Sequence, residues 1–176
     1  LHSLGLTVRG ILLPGFGPEI GRLTEVGVHQ WLSAVRHHVR DLSEAHSSVI
    51  VVGNSMGAAL ATAAAADLPV EGLILFSPFW RLEHRWLDLA LPVGRHVFRR
   101  LYPFQHADFE QPDTRAELSR VLGDVDLSDP AVQEQVRSLP LATSTLAHVR
   151  QAGRLGHQAA RRIHSPVLIF QGRNDP

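Results

Sequence analysis

The chain has 176 residues, 44% hydrophobic and 19% charged, which suits one globular domain with a sizeable core. Formal net charge is zero, every basic residue is a scattered arginine, and no apolar run reaches the roughly 18 residues that span a bilayer, so neither nucleic acid nor a membrane is an expected partner. Cysteine is absent, which excludes disulfides and thiolate metal sites, and the 11 histidines show no His-Glu-x-x-His spacing, so neither a metal nor any other cofactor is expected.

Leu6 to Leu13 reads as a first strand, stopped by Pro14-Gly15-Phe16-Gly17-Pro18. Trp31, Leu32, Val35, Val39 and Leu42 then recur at helical spacing, with Arg36, His37, Arg40 and Asp41 on other faces, and predict an amphipathic helix. Val49 to Val52 is an uninterrupted apolar run, expected to form a parallel strand buried on both faces. Ala58 to Ala66 predicts a helix of small residues that can lie close to a sheet. Leu73 to Phe76 reads as a third strand, ended by Ser77-Pro78. This alternation argues for a parallel α/β sheet.

Residues 79–163 break the rhythm. Trp80, Trp86, Phe98, Tyr102 and Phe104 are interleaved with arginines and histidines, and no strand is expected. Two proline-bounded helices are predicted, one opening near Ser128-Asp129-Pro130 and stopping at Pro140, the other running from about Thr143 to Arg162. A last strand, Val167 to Phe170, follows Pro166 and ends at Gly172-Arg173-Asn174-Asp175. The expected organisation is a core over 1–78, a helical insertion over 79–163, and a returning core strand over 164–176.

Between the second strand and the alanine helix lies Gly53-Asn54-Ser55-Met56-Gly57, a Gly-x-Ser-x-Gly pattern. Strand, sharp turn and helix are the context in which this pattern becomes a nucleophile elbow, with a serine hydroxyl held clear of the sheet. Gly53 and Gly57 are expected to be there because a Cβ would collide with strand and helix. Ser55 is the candidate nucleophile, and the backbone N–H of Met56 the candidate oxyanion donor.

These stretches resemble the α/β-hydrolase superfamily, most closely its carboxylesterase and monoacylglycerol-lipase branch. The residues that carry the resemblance are Gly5 to Gly17, the elbow, Phe76-Ser77-Pro78, and Pro166 to Asp175. The resemblance implies an α/β-hydrolase fold, incomplete at both ends, with a helical lid. It also implies that Asp175, at the carboxyl end of a strand, is the triad acid, although Asn-Asp-Pro is also a turn that an aspartate caps. Only one helix fits between Gly15 and Ser55, so Leu13 to Gly17 is expected to end the strand before the nucleophile strand. The loop with the second oxyanion donor is then expected upstream of Leu1. In the family the histidine follows the acid, whereas all 11 histidines here precede Asp175, so the catalytic histidine is expected beyond Pro176.

The leading expectation is a serine hydrolase of small or medium acyl esters or monoacylglycerols, working in the cytoplasm through an acyl-serine intermediate. Acyl transfer, lactone opening and C–C hydrolysis use the same triad, and a catalytically silent binding scaffold is the reading from another class.

Overall fold

The computed structural model describes residues 3, 5–80, 100–102, 104–122 and 126–173. The chain divides into two compact units, Leu1–Pro92 with Ser144–Pro176, and Val93–Thr143.

The first unit is built on three parallel strands, β1 (Ile50–Asn54), β2 (Gly72–Phe76) and β5 (Val167–Phe170), in the order β1-β2-β5. The pairing is in step: Asn54 lies opposite Phe76, and Phe76 opposite Phe170, so the three carboxyl ends share one edge. Helix α1 (Val28–Ala45) is longer than its apolar spacing alone suggests, and the Gln30 side chain accepts from the Gly27 N–H at its start. It buries Trp31, Leu32, Val35 and Val39, and the Trp31 indole N–H donates to the Pro14 carbonyl at 3.0 Å.

Helix α2 (Met56–Ala65) sits at the centre, with every residue from Ala58 to Ala64 buried. Its small side chains let its neighbours come close. Helix α5 (Thr143–Ala159), expected within the insertion, lies against it: a Cβ on Gly156 would stand 2.7 Å from the Cα of Ala59. The Asp67 carboxylate, beyond the end of α2, pairs with Arg36 of α1 and with Arg162 at 2.9 Å.

The sheet corrects one expectation. Val51, Leu73 and Leu75 are buried beneath the helices, but Ile50 and Val52 are about half exposed. Strand β1 therefore alternates between a packed and an open face instead of being buried on both, and β5 is exposed along its whole length. A second correction concerns Leu6 to Leu13, which form no strand. Leu6, Val8 and Leu12 are more than half exposed, and among the described residues no strand pairs with the segment. Apolar alternation without a partner to complete the ladder does not make a strand. Instead, Gly17–Glu25 winds into a 3-10 helix that the sequence reading did not anticipate.

The second unit contains a short antiparallel pair, β3 (Arg100–Leu101) with β4 (Leu141–Ala142), where no strand was expected. Between them lie α3 (Pro112–Leu122), also unanticipated, and α4 (Pro130–Arg137). Helix α4 starts as the sequence predicts: Pro130 opens its first turn, and the Asp129 side chain caps it by accepting from the Ala131 N–H at 2.8 Å. Phe109, Leu118, Leu127 and Val136 form a small core, with the Arg137 guanidinium 4.9 Å from the centre of the Phe109 ring. Trp86 and Phe98 lie outside the described residues. Among the described residues, no helix is long and apolar enough to cross a membrane.

Candidate active site

Ser55 follows the last residue of β1 and directly precedes α2. Its backbone has φ 50° and ψ −119°, a combination that L-residues adopt only when their surroundings force it. Those surroundings are specific. The Ser55 N–H extends the parallel ladder by donating to the Phe76 carbonyl at 2.9 Å. The Ser55 carbonyl accepts from Ala58 N–H at 3.0 Å, from Ala59 N–H at 3.4 Å and from Phe79 N–H at 3.3 Å. Main chain on both sides thus fixes the peptide groups, while the residue itself stays exposed and its side chain makes no capping bond to the helix. A hydroxyl on an exposed residue at a strand end, not engaged in capping its own helix, is open to a reactant.

Gly53 makes this turn possible. A Cβ there would lie 2.5 Å from the Cα of Ala58 and 2.7 Å from both Ala58 N and the Gly57 carbonyl oxygen, closer than side chains ever approach backbone. Gly57 does not share that reason. A Cβ on it would meet nothing within 4 Å among the described residues, so the collision expected of both glycines occurs at Gly53 alone. Met56 opens α2, half-buried against the main core. Its N–H belongs to the first turn of the helix, ahead of the intrahelical ladder, at the positive end of the helix dipole.

Asp175 lies outside the described residues. The strand leading to it is described: β5 ends at Phe170, level with Phe76 and Asn54, so the chain leaves the sheet towards Gln171 and Gly172 at the edge that carries Ser55. That edge holds a second strained residue, Ser77, with φ 41°. Nothing in the residue types Ser77-Pro78 announces a left-handed backbone.

The two concavities elsewhere on this unit are not at this edge. One, of about 230 Å³, lies at the far end of α2 between Ala65, Asp67, Arg162 and His164, and the other, of about 280 Å³, lies at the amino ends of the strands around Ile50, Gly72 and Pro166. Ligands of open parallel sheets gather at the carboxyl ends of strands, and neither cavity lies there. Among the described residues, no group of three or more histidines and carboxylates gathers as a metal site.

Comparison with known proteins follows the same lines. The family model described as "Serine aminopeptidase, S33" matches residues 1–176. A structure of the metagenome-derived lipolytic enzymes LipS and LipT superposes with a TM-score of 0.65 at 21% identity, covering 92% of this chain and 58% of that one. The structure of Rv0554 from Mycobacterium tuberculosis matches at 19% identity with a TM-score of 0.44, over 84% of this chain and 55% of that one. The chain thus spans little more than half the length of these two solved proteins. No curated protein sequence matches it. At such identities the superposition speaks to the fold, and the full-length family match to descent: the chain belongs to the serine aminopeptidase S33 family, serine hydrolases of the α/β-hydrolase superfamily.

Proposed function

We propose that the protein is a carboxylic ester hydrolase whose nucleophile is Ser55. The observation that carries this reading is the backbone of Ser55, held at φ 50° and ψ −119° between a parallel strand and a helix. Strain of this kind costs on the order of 1–3 kcal/mol and persists where the surroundings enforce it, typically at reactive groups.

The chemistry follows from the groups assigned. An imidazole accepts the Ser55 proton as the oxygen attacks the ester carbonyl carbon, and the carbonyl oxygen becomes an oxyanion facing the Met56 N–H. Collapse expels the alcohol, which takes the proton from the imidazole, and leaves an acyl-serine. Water activated by the same imidazole then releases the acid and restores Ser55. Asp175 is assigned to hold that imidazole in the correct tautomer and to stabilise its charged form. In the chain order of the family, the histidine follows Asp175. The steps use protein groups and water only.

The lipolytic activity named for the superposing proteins supports an ester as the substrate, with small or medium acyl chains or monoacylglycerols as the class. A second reading, cleavage of an amino-terminal peptide bond by the same acyl-serine route, is favoured by the description of the matching family. The experiment is labelling of the full-length protein with a fluorophosphonate, followed by turnover of p-nitrophenyl butyrate and of an aminoacyl p-nitroanilide. Ser55→Ala is expected to abolish labelling and to lower ester turnover by on the order of 10³–10⁶. Unchanged labelling of Ser55→Ala would sink the assignment, and faster turnover of the anilide would favour the peptidase reading.

A further inference from the structure

Ser55 is not the only strained residue at this edge, and the chemistry above leaves the other unused. Ser77 follows β2 with φ 41° and precedes Pro78. A left-handed backbone is disfavoured for L-residues, and a following proline restricts its neighbour further. Its neighbours help hold Ser77 in this conformation.

Phe76 accepts from the Ser55 N–H at 2.9 Å, the Ser77 N–H donates to the Phe170 carbonyl at 2.8 Å, and the Phe79 N–H donates back to the Ser55 carbonyl at 3.3 Å. The rings of Phe76 and Phe170 stack, with centroids 4.9 Å apart and planes 9° from parallel. In an unbroken strand, N–H groups two residues apart point to the same neighbour. Those of Ser77 and Phe79 point to opposite neighbours, one to β5 and one to the nucleophile turn. The left-handed step at Ser77 lies between the two. Four residues therefore clip both peptide groups of Ser55 to the last residue of β5.

We propose that Ser77 is a positioning residue. Its left-handed backbone locks the nucleophile turn to β5, and so sets the separation between the Ser55 hydroxyl and the acid carried beyond that strand. The proposal rests on the serine-hydrolase reading and deepens it. An imidazole bridging nucleophile and acid needs their oxygens about 7–8 Å apart, and catalytic geometry tolerates errors of only about 0.5 Å. A clip between the two supporting elements supplies that precision.

The test is a substitution series in the full-length protein, ordered by tolerance of positive φ: Ser77→Gly, Ser77→Asn, Ser77→Ala, Ser77→Thr and Ser77→Val. Glycine and asparagine tolerate positive φ best, and glycine does so with no side chain to hydrogen-bond. We expect both to keep kcat for p-nitrophenyl butyrate near the parent value. Threonine and valine are expected to lower kcat by on the order of 10–10²-fold with little change in KM, and to slow fluorophosphonate labelling in parallel. Should Ser77→Val fail to fold, the order of the other four carries the test. A valine variant as active as the parent would overturn the proposal, as would an asparagine variant as poor as threonine. If Ser55→Ala abolishes turnover while the Ser77 series is flat, the positioning role alone fails. If Ser55→Ala is itself without effect, the hydrolase reading fails first.

Discussion

Replacing Gly53 by alanine tests how tightly the nucleophile turn is built. The added Cβ would start 2.5 Å from the Cα of Ala58, where non-bonded carbons rest at about 3.5–4.0 Å. Helix α2 would therefore have to retreat from β1 by about 1 Å, and it has little room to do so. Ala58, Ala59 and Leu60 are fully buried, and α5 stands directly behind Ala59. Overpacking of this kind costs about 1–3 kcal/mol, and rigid backbone on both sides puts Gly53→Ala near the upper end. For a chain of this size that lowers Tm by roughly 6–12 °C. On the proposed ester-hydrolase reading the same retreat also slows the reaction, because it moves the Met56 N–H proposed as oxyanion donor, and losing one donor costs about 10²–10³ in kcat. Calorimetry and the rate of fluorophosphonate labelling read the two effects separately. Gly57→Ala is the internal control. A Cβ there meets nothing within 4 Å among the described residues, and α2 already includes the position, so a gain of about 0.5–1 kcal/mol is expected. Equal effects of the two substitutions, or a Gly53→Ala protein that melts and labels like the parent, would refute the packing account.

Two further outcomes follow from other contacts. Gly156→Ala would drive a Cβ to 2.7 Å from the Cα and carbonyl oxygen of Ala59. The clash should outweigh the better helix propensity of alanine, so Tm should fall by several degrees, measured by circular dichroism. In the second unit, the Asp126 carboxyl is held below its ordinary 3.8, chiefly by the Ser128 hydroxyl at 2.5 Å and then by the Ser128 N–H at 2.9 Å. Because the folded value is depressed, this contribution to stability is present above 3.8 and is lost as pH falls through the lowered value. Ser128→Ala should raise the Asp126 pKa towards 3.8, read by NMR titration of the carboxyl carbon, and an unmoved titration would show the hydroxyl to be idle.

The parts of the fold legible in the sequence are those whose signal is local. Val167 to Phe170, between Pro166 and Gly172, forms the strand its residues predict, and the alanine run after Ser55 forms the central helix. Helix α4 could be placed because Asp129-Pro130 is both cap and first turn. Misreadings arose where structure depends on something distant. Leu6 to Leu13 has strand-like residues but no ladder partner among the described residues. The continuous apolar run at Val49 to Val52 hides an alternation between packed and open faces that only the placement of α2 reveals. The pairing of β3 with β4 joins residues about 40 positions apart through two residues each, too little to mark a pattern. The elbow was visible because Gly-x-Ser-x-Gly compresses a three-dimensional requirement into five positions. Ser77 was not, since its backbone is set by its own N–H bond to Phe170 and by the bonds of its neighbours Phe76 and Phe79 to Ser55.

The short clasp of Arg100–Leu101 with Leu141–Ala142 brings two points about 40 residues apart in the second unit side by side. For the polypeptide outside it, everything between these points is then topologically a single hairpin loop. Because the entropy of closing a loop grows only with the logarithm of its length, such a junction accepts inserts of very different size at nearly constant cost. Between the clasped ends the intervening segment can therefore lengthen or shorten with little change in the entropy of closing it.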